Sequence, residues 1–239
     1  MIPLILYDFP SKLEGNHWSP SITWSYRFAL GYKNLPFRVE WVEYPDLAPR
    51  MKEIGAKPSK RLDGTEKYTL PVLSDPNTGA LVTDSLEIAE YLEKTYLDKP
   101  IFSNKSKGLI RAFDSVVINL LLAAFKFPIV RTSEILNERS AEFYIATRET
   151  MFEEKFTELS AEGLKREEHW TNLERMFNTS QEWYDKEEGK WLMGDVFSYA
   201  DIIVAAILFW LKRVLHDDEW EKIASWHDGK WAKLLVDVE

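Results

Sequence analysis

The chain of 239 residues contains no cysteine. Disulfide frameworks, thiolate metal sites and a catalytic thiol are therefore excluded outright. Histidine is scarce as well, with four in all, and none stands four residues from another as a metal-binding helix pair would require. Long apolar runs are missing. The stretch 202–211 is apolar but too short to span a bilayer. The opening Met1-Ile2-Pro3-Leu4-Ile5-Leu6 is interrupted by Asp8 and has no basic residues before it, which fits a first strand better than a signal peptide. Positive charge is also in deficit, with 30 Lys and Arg against 39 Asp and Glu and a formal net charge of −9. Phosphate binding needs concentrated Lys and Arg, so a nucleic-acid partner is disfavoured, and so is a basic helix lying on a membrane. A small molecule or another protein remains as partner, and a cytoplasmic location is the natural reading.

What is present is ordinary globular material, 45% hydrophobic and 29% charged, with ten tryptophans to fill a core. The first hundred residues switch period repeatedly. Residues 2–7 read as a buried strand, 20–32 as a helix, and 37–43 as an alternating strand. A short helix over 46–54 precedes a loop holding Gly55, Lys57, Pro58, Lys60 and Gly64. Residues 68–73 read as a strand, Asp75-Pro76-Asn77-Thr78-Gly79 as a turn, 81–83 as the returning strand, and 85–96 as a helix. That β-α-β-α-β-β-α order is the thioredoxin-like one. Beyond residue 107 only helical periods remain, over 109–127, 140–152, 164–185, 198–215 and 217–226, the last stopping before Asp228-Gly229. The pattern predicts an α/β domain over residues 1–98, a linker over 98–104, and an all-helical domain over 106–239.

Three motifs carry candidate chemistry. Ser19-Pro20 leads into the first helix, with Ser21 close behind. A serine there caps a helix, and the same geometry presents unpaired N–H groups and positive potential to an anion such as a thiolate. Leu70-Pro71-Val72 places proline inside a strand-like run. It marks either an edge strand or a bend whose exposed Leu70 backbone can pair with a peptide-like ligand. Asp84-Ser85 caps the third helix and can also offer polar groups to a ligand.

In their order and spacing these motifs resemble the glutathione site of glutathione transferases. Trp18-Ser19-Pro20, Tyr26-Arg27-Phe28-Ala29-Leu30-Gly31-Tyr32-Lys33, and Glu40-Trp41-Val42-Glu43-Tyr44-Pro45-Asp46 are similar to the fungal etherase-like class, itself related to bacterial enzymes that cleave lignin β-aryl ethers. Met193-Gly194-Asp195 and Ser198-Tyr199-Ala200-Asp201 extend the resemblance into the second half, where Ser198 and Asp201 are expected to form a structural capping box.

The resemblance implies glutathione as cosubstrate, a serine in place of cysteine, a hydrophobic aromatic acceptor, and a homodimer. Ser19 would hydrogen-bond the glutathione sulfur. Trp24 falls one residue later than in related chains, which makes Ser21 the alternative. Leu70 would pair with the cysteinyl backbone beside a cis Pro71, Asp84 and Ser85 would hold the γ-glutamyl end, and Lys60, with Lys57 and Arg61, would meet the glycyl carboxylate or stand as a solvated loop. Tyr7 and His17 border this region, with packing and a surface loop as their plainer roles. Phe113, Phe125, Phe127, Trp210 and Trp231 are candidates for either an acceptor pocket or the core. A protein that sequesters polyphenols with little turnover is the second reading, and a scaffold module the third.

Overall fold

Residues 1–16, 21–60 and 64–239 are described by a computed structural model. The alternating first hundred residues form a four-stranded mixed sheet. It contains β1 (Leu4–Asp8), β2 (Phe37–Trp41), β5 (Val72–Asp75) and β6 (Ala80–Thr83) in the order β2-β1-β5-β6. β1 runs parallel to β2 and antiparallel to β5, and β5 antiparallel to β6. Leu4 and Leu6 of β1 are wholly buried, as expected of a strand covered on both faces. The turn at Asp75–Gly79 closes with Gly79 N–H donating to the Asp75 carbonyl at 2.8 Å, and Gly79 holds the positive φ of 77° that the turn needs. Helices α1 (Ser21–Tyr32), α2 (Leu47–Glu53) and α3 (Ser85–Thr95) complete the thioredoxin-like unit.

Six further helices follow among the described residues: α4 (Lys107–Ala124), α5 (Lys126–Ile135), α6 (Glu138–Phe152), α7 (Leu164–Tyr184), α8 (Tyr199–Val214) and α9 (Asp217–Val238). α8 is the spine of the helical part, buried on all sides except at Lys212 and Arg213. It packs along α1, where Trp24 stacks on Phe209 with ring centroids 3.6 Å apart and the Tyr199 hydroxyl donates to Ser25 Oγ at 3.0 Å. Each buried Ile, Leu or Phe of this seam contributes about 1.5–3 kcal/mol. No single helix among the described residues is long and apolar enough to cross a membrane.

Four expectations need correction. The strand predicted over 68–73 starts at Val72, because the chain bends at Pro71, and β5 continues to Asp75. The loop after α2 contains a two-residue hairpin, β3 (Ser59–Lys60) with β4 (Glu66–Lys67), too short to show any period. The helix predicted over 109–127 breaks at Phe125 into α4 and α5, bent by 78°. Pro128 explains the break: its ring collides with the carbonyl four residues earlier and supplies no N–H. Finally, helical conformation does lapse at 226–229, through left-handed His227, Asp228 and Gly229, but it resumes and runs to Val238.

Candidate functional site

The sheet ends beside the start of α3. β5 pairs as far as Val72, which faces Tyr7 on one side and Thr83 on the other. Leu70 therefore stands past the last paired residue, and the Leu70–Pro71 bond is cis. The Pro71 carbonyl accepts the Asp84 N–H at 3.2 Å, joining the bend to the first residues of α3.

Asp84 sits at φ 85° and ψ 135°, a positive-φ extended setting outside the left-handed helical well that favours glycine and strains an aspartate. Its Oδ1 accepts from the backbone of Leu86 at 2.9 Å and of Glu87 at 3.4 Å, so the carboxylate caps α3. The side chain is exposed, and its second oxygen makes no hydrogen bond among the described residues. Ser85 is half-buried, and its hydroxyl likewise has no partner among them. Its carbonyl accepts from the Tyr199 hydroxyl at 3.2 Å, which pins the start of α3 to α8. Facing this cap from α4 is Asp114, whose carboxyl is pushed up to about 6, first by burial and then by the negative charge of Asp84. Ser85 and Asp114 share a very small cavity with Ser25 and Tyr199.

On the other side of Leu70 lies an apolar cavity of about 300 Å³. Phe9, Tyr44, Tyr68 and Leu70 wall it from the sheet side, Phe125 and Phe143 from the helical side. The Phe9 and Tyr44 rings are stacked, nearly parallel, with centroids 3.8 Å apart. Tyr44 N–H donates to Ser140 Oγ at 2.9 Å, and the Ser140 hydroxyl donates to Glu43, so α6 fixes this wall. Burial holds the Tyr44 phenol well above its ordinary range and raises Tyr144 beside it.

Of the residues singled out from sequence, Leu70, Pro71, Asp84 and Ser85 come together here. Ser19 lies outside the described residues, as do His17 and Arg61. Ser21 opens α1 and Lys60 lies in β3, opposite Glu66, but their side chains are not among those described. Tyr7 is buried in the sheet, and burial raises its pKa. Of the five aromatic candidates only Phe125 reaches the cavity. Phe127, Trp210 and Trp231 are core, and Phe113 packs on Trp183. Asp114, Phe143 and Arg148 were not signalled by any motif, because each is one polar or aromatic residue on an amphipathic helix. Ser198 and Asp201 do form the expected capping box: Asp201 Oδ2 accepts from Ser198 N–H at 2.9 Å.

Comparison with known proteins shows the family. Residues 21–95 match the family model for the glutathione S-transferase N-terminal domain, and residues 108–239 match the C-terminal-domain model. A Ceriporiopsis subvermispora glutathione S-transferase, solved in complex with glutathione, is 37% identical, with 99% of this chain and 96% of that one covered and a TM-score of 0.93. A Phanerochaete chrysosporium glutathione transferase is 31% identical, with coverage of 100% and 97% and a TM-score of 0.90. A glutathione S-transferase-like protein of Aspergillus flavus is 29% identical over 97% of this chain and 88% of its own length. Matched in both halves by domain models and almost end to end by solved relatives, the chain belongs to the glutathione S-transferase family.

Proposed function

We propose that the protein is an active glutathione transferase of serine type that directs glutathione at hydrophobic aromatic electrophiles. The observation that carries this reading is the juxtaposition at Leu70. An unpaired strand end, an open helix cap and an apolar cavity meet there. The Leu70 backbone would pair with the cysteinyl unit. Asp84 and Ser85 would hold the γ-glutamyl end, whose ammonium suits the Asp84 oxygen that caps nothing among the described residues and whose carboxylate suits the Ser85 hydroxyl and the N-terminus of α3. Lys60 would meet the glycyl carboxylate. The glutathione bound in the Ceriporiopsis relative supports the choice of ligand.

Ser19, with Ser21 as alternative, would donate a hydrogen bond to the sulfur at the start of α1. Bringing a thiol from about 8.5 to neutrality takes about two units, or about 2.7 kcal/mol. A hydrogen bond to a charged partner supplies about 1.5–3 kcal/mol and the helix terminus about 0.3–1 kcal/mol, which together suffice. The thiol proton leaves to solvent. The thiolate then forms a C–S bond at the electrophilic carbon, and the halide or aryloxide departs with the electron pair of the broken bond. Conjugation and thiolytic ether cleavage are both of this type. A homodimer in the cytoplasm belongs to the same reading, and the exposed Leu109 and Val116, two turns apart on α4, offer an apolar strip for a second copy.

The second reading, sequestration of polyphenols, draws on the same cavity. Replacing Ser19 and Ser21 by alanine separates the two. Conjugation of a chloronitroarene should fall at least 10-fold in one variant while arene affinity is unchanged. Turnover that survives both substitutions would remove the serine mechanism.

A further inference from the structure

The cavity beside Leu70 adjoins a second of about 550 Å³, and the two share Lys67, Phe143 and Arg148 in their walls. Among the described residues no acidic side chain lines either one, although the chain carries 39 acids against 30 bases. Among the described residues, the charged side chains of both walls, Lys67 and Arg148, are therefore cations. Arg148 is the better placed of the two, because it is half-buried whereas Lys67 is exposed.

The surroundings of Arg148 differ from those of five other arginines. Arg27, Arg50, Arg111, Arg131 and Arg139 each pair with a carboxylate. Arg148 pairs with none among the described residues. Its guanidinium lies 4.0 Å from the Tyr144 ring centroid and 5.9 Å from that of Tyr44, and Nη1 donates to Thr147 Oγ1 at 3.0 Å. The aromatic contacts hold the group in place, and a guanidinium has further N–H donors beyond the one on Thr147. A rigid fork of donors beside apolar walls matches a planar anion, and low local polarity strengthens such a contact.

We infer that the acceptor is an aromatic compound bearing a carboxylate, with its ring between the aromatic walls of the cavity and its anion on Arg148. This deepens the transferase reading and rests on it for the reaction, though not for the binding. A charge-assisted contact of this kind reads as about a 10- to 100-fold preference in dissociation constant.

The test is calorimetric titration of the whole protein with 3,5-dinitrobenzoate and with the neutral 3,5-dinitrobenzamide, with S-methylglutathione present, for the parent, Arg148→Met and Arg148→Lys. The expected result is a preference for the benzoate of at least 10-fold in the parent. Arg148→Met should lose that preference with amide affinity nearly unchanged, and Arg148→Lys should keep part of it. Equal loss for both arenes would reduce Arg148 to a packing role and overturn the inference. So would an unchanged preference, or a loss confined to S-methylglutathione, which would assign Arg148 to the glycyl carboxylate. Conjugation of 4-chloro-3,5-dinitrobenzoate and its amide is measured in parallel. If neither reacts while the Arg148-dependent preference holds, the transferase reading fails and the anion site stands. If the amide reacts and no preference exists, the reverse follows.

Discussion

Two helix starts in this chain carry aspartate and serine side by side or three apart, and they are built to opposite ends. At α8, Asp201 is fully buried, and both oxygens are saturated: Oδ1 accepts from Leu192 N–H and the Tyr184 hydroxyl, Oδ2 from the Ser198 backbone and hydroxyl. At α3, Asp84 is exposed and caps with one oxygen, while the other oxygen and the Ser85 hydroxyl have no partner among the described residues. A closed cap spends all its hydrogen-bonding capacity on the fold. An open one keeps part of it for a ligand, at a small cost in stability.

Removing the closed cap should have the largest effect. Asp201→Ala orphans the Leu192 and Ser198 N–H groups and the Tyr184 hydroxyl, and should cost about 3 kcal/mol or more, read from denaturant unfolding. A loss below about 1 kcal/mol would mean that water replaces the carboxylate, and the contrast between the caps would shrink.

Asp114 gives the next largest effect and the opposite sign. Its folded pKa of about 6 lies above the ordinary aspartate value near 4, so the folded chain holds a proton that the unfolded chain has released. Stability should therefore fall as pH rises from about 4 to about 6 and stay reduced above that. Asp114→Asn should restore about 1–2 kcal/mol at pH 7.5, a figure discounted from the two-unit shift because the side chain is only half-buried, and should flatten that part of the profile. Thermal unfolding across this range is the check, and a steeper slope in the variant would contradict the assignment.

Asp84→Gly suits the positive-φ backbone, which offsets part of the lost cap, and removes the carboxylate. Stability should change by only a few tenths of a kcal/mol, while the glutathione dissociation constant rises about 10-fold. Ser85→Ala is the mildest change, nearly neutral for folding and costing a few-fold in glutathione affinity. If both leave glutathione binding untouched, the α3 cap is as structural as that of α8.

Much of this was legible from the residues alone. The order of strands and helices along the chain, the turn at Asp75 to Gly79 and both Asp-and-Ser helix starts follow from period and capping chemistry. The openness of one cap was not, because Asp84 and Asp201 look alike until tertiary burial surrounds one and spares the other. The β3–β4 hairpin has strands of two residues and no period to detect. The break at Phe125 was in principle readable from Pro128. Phe125 and Phe127 could not be sorted into cavity and core, since the bend decides which way each faces. Arg148 is one cation among many on helical surfaces, and only packing shows that no carboxylate among the described residues answers it.

A serine-type transferase must ionise glutathione at the start of α1. Thiolate absorbance of bound glutathione, titrated with pH in the parent and in the Ser19→Ala and Ser21→Ala variants, tests it directly. The bound thiol should have a pKa near neutrality in the parent, rising by one unit or more when the responsible serine is replaced. A bound thiol that titrates as it does in free glutathione would contradict it.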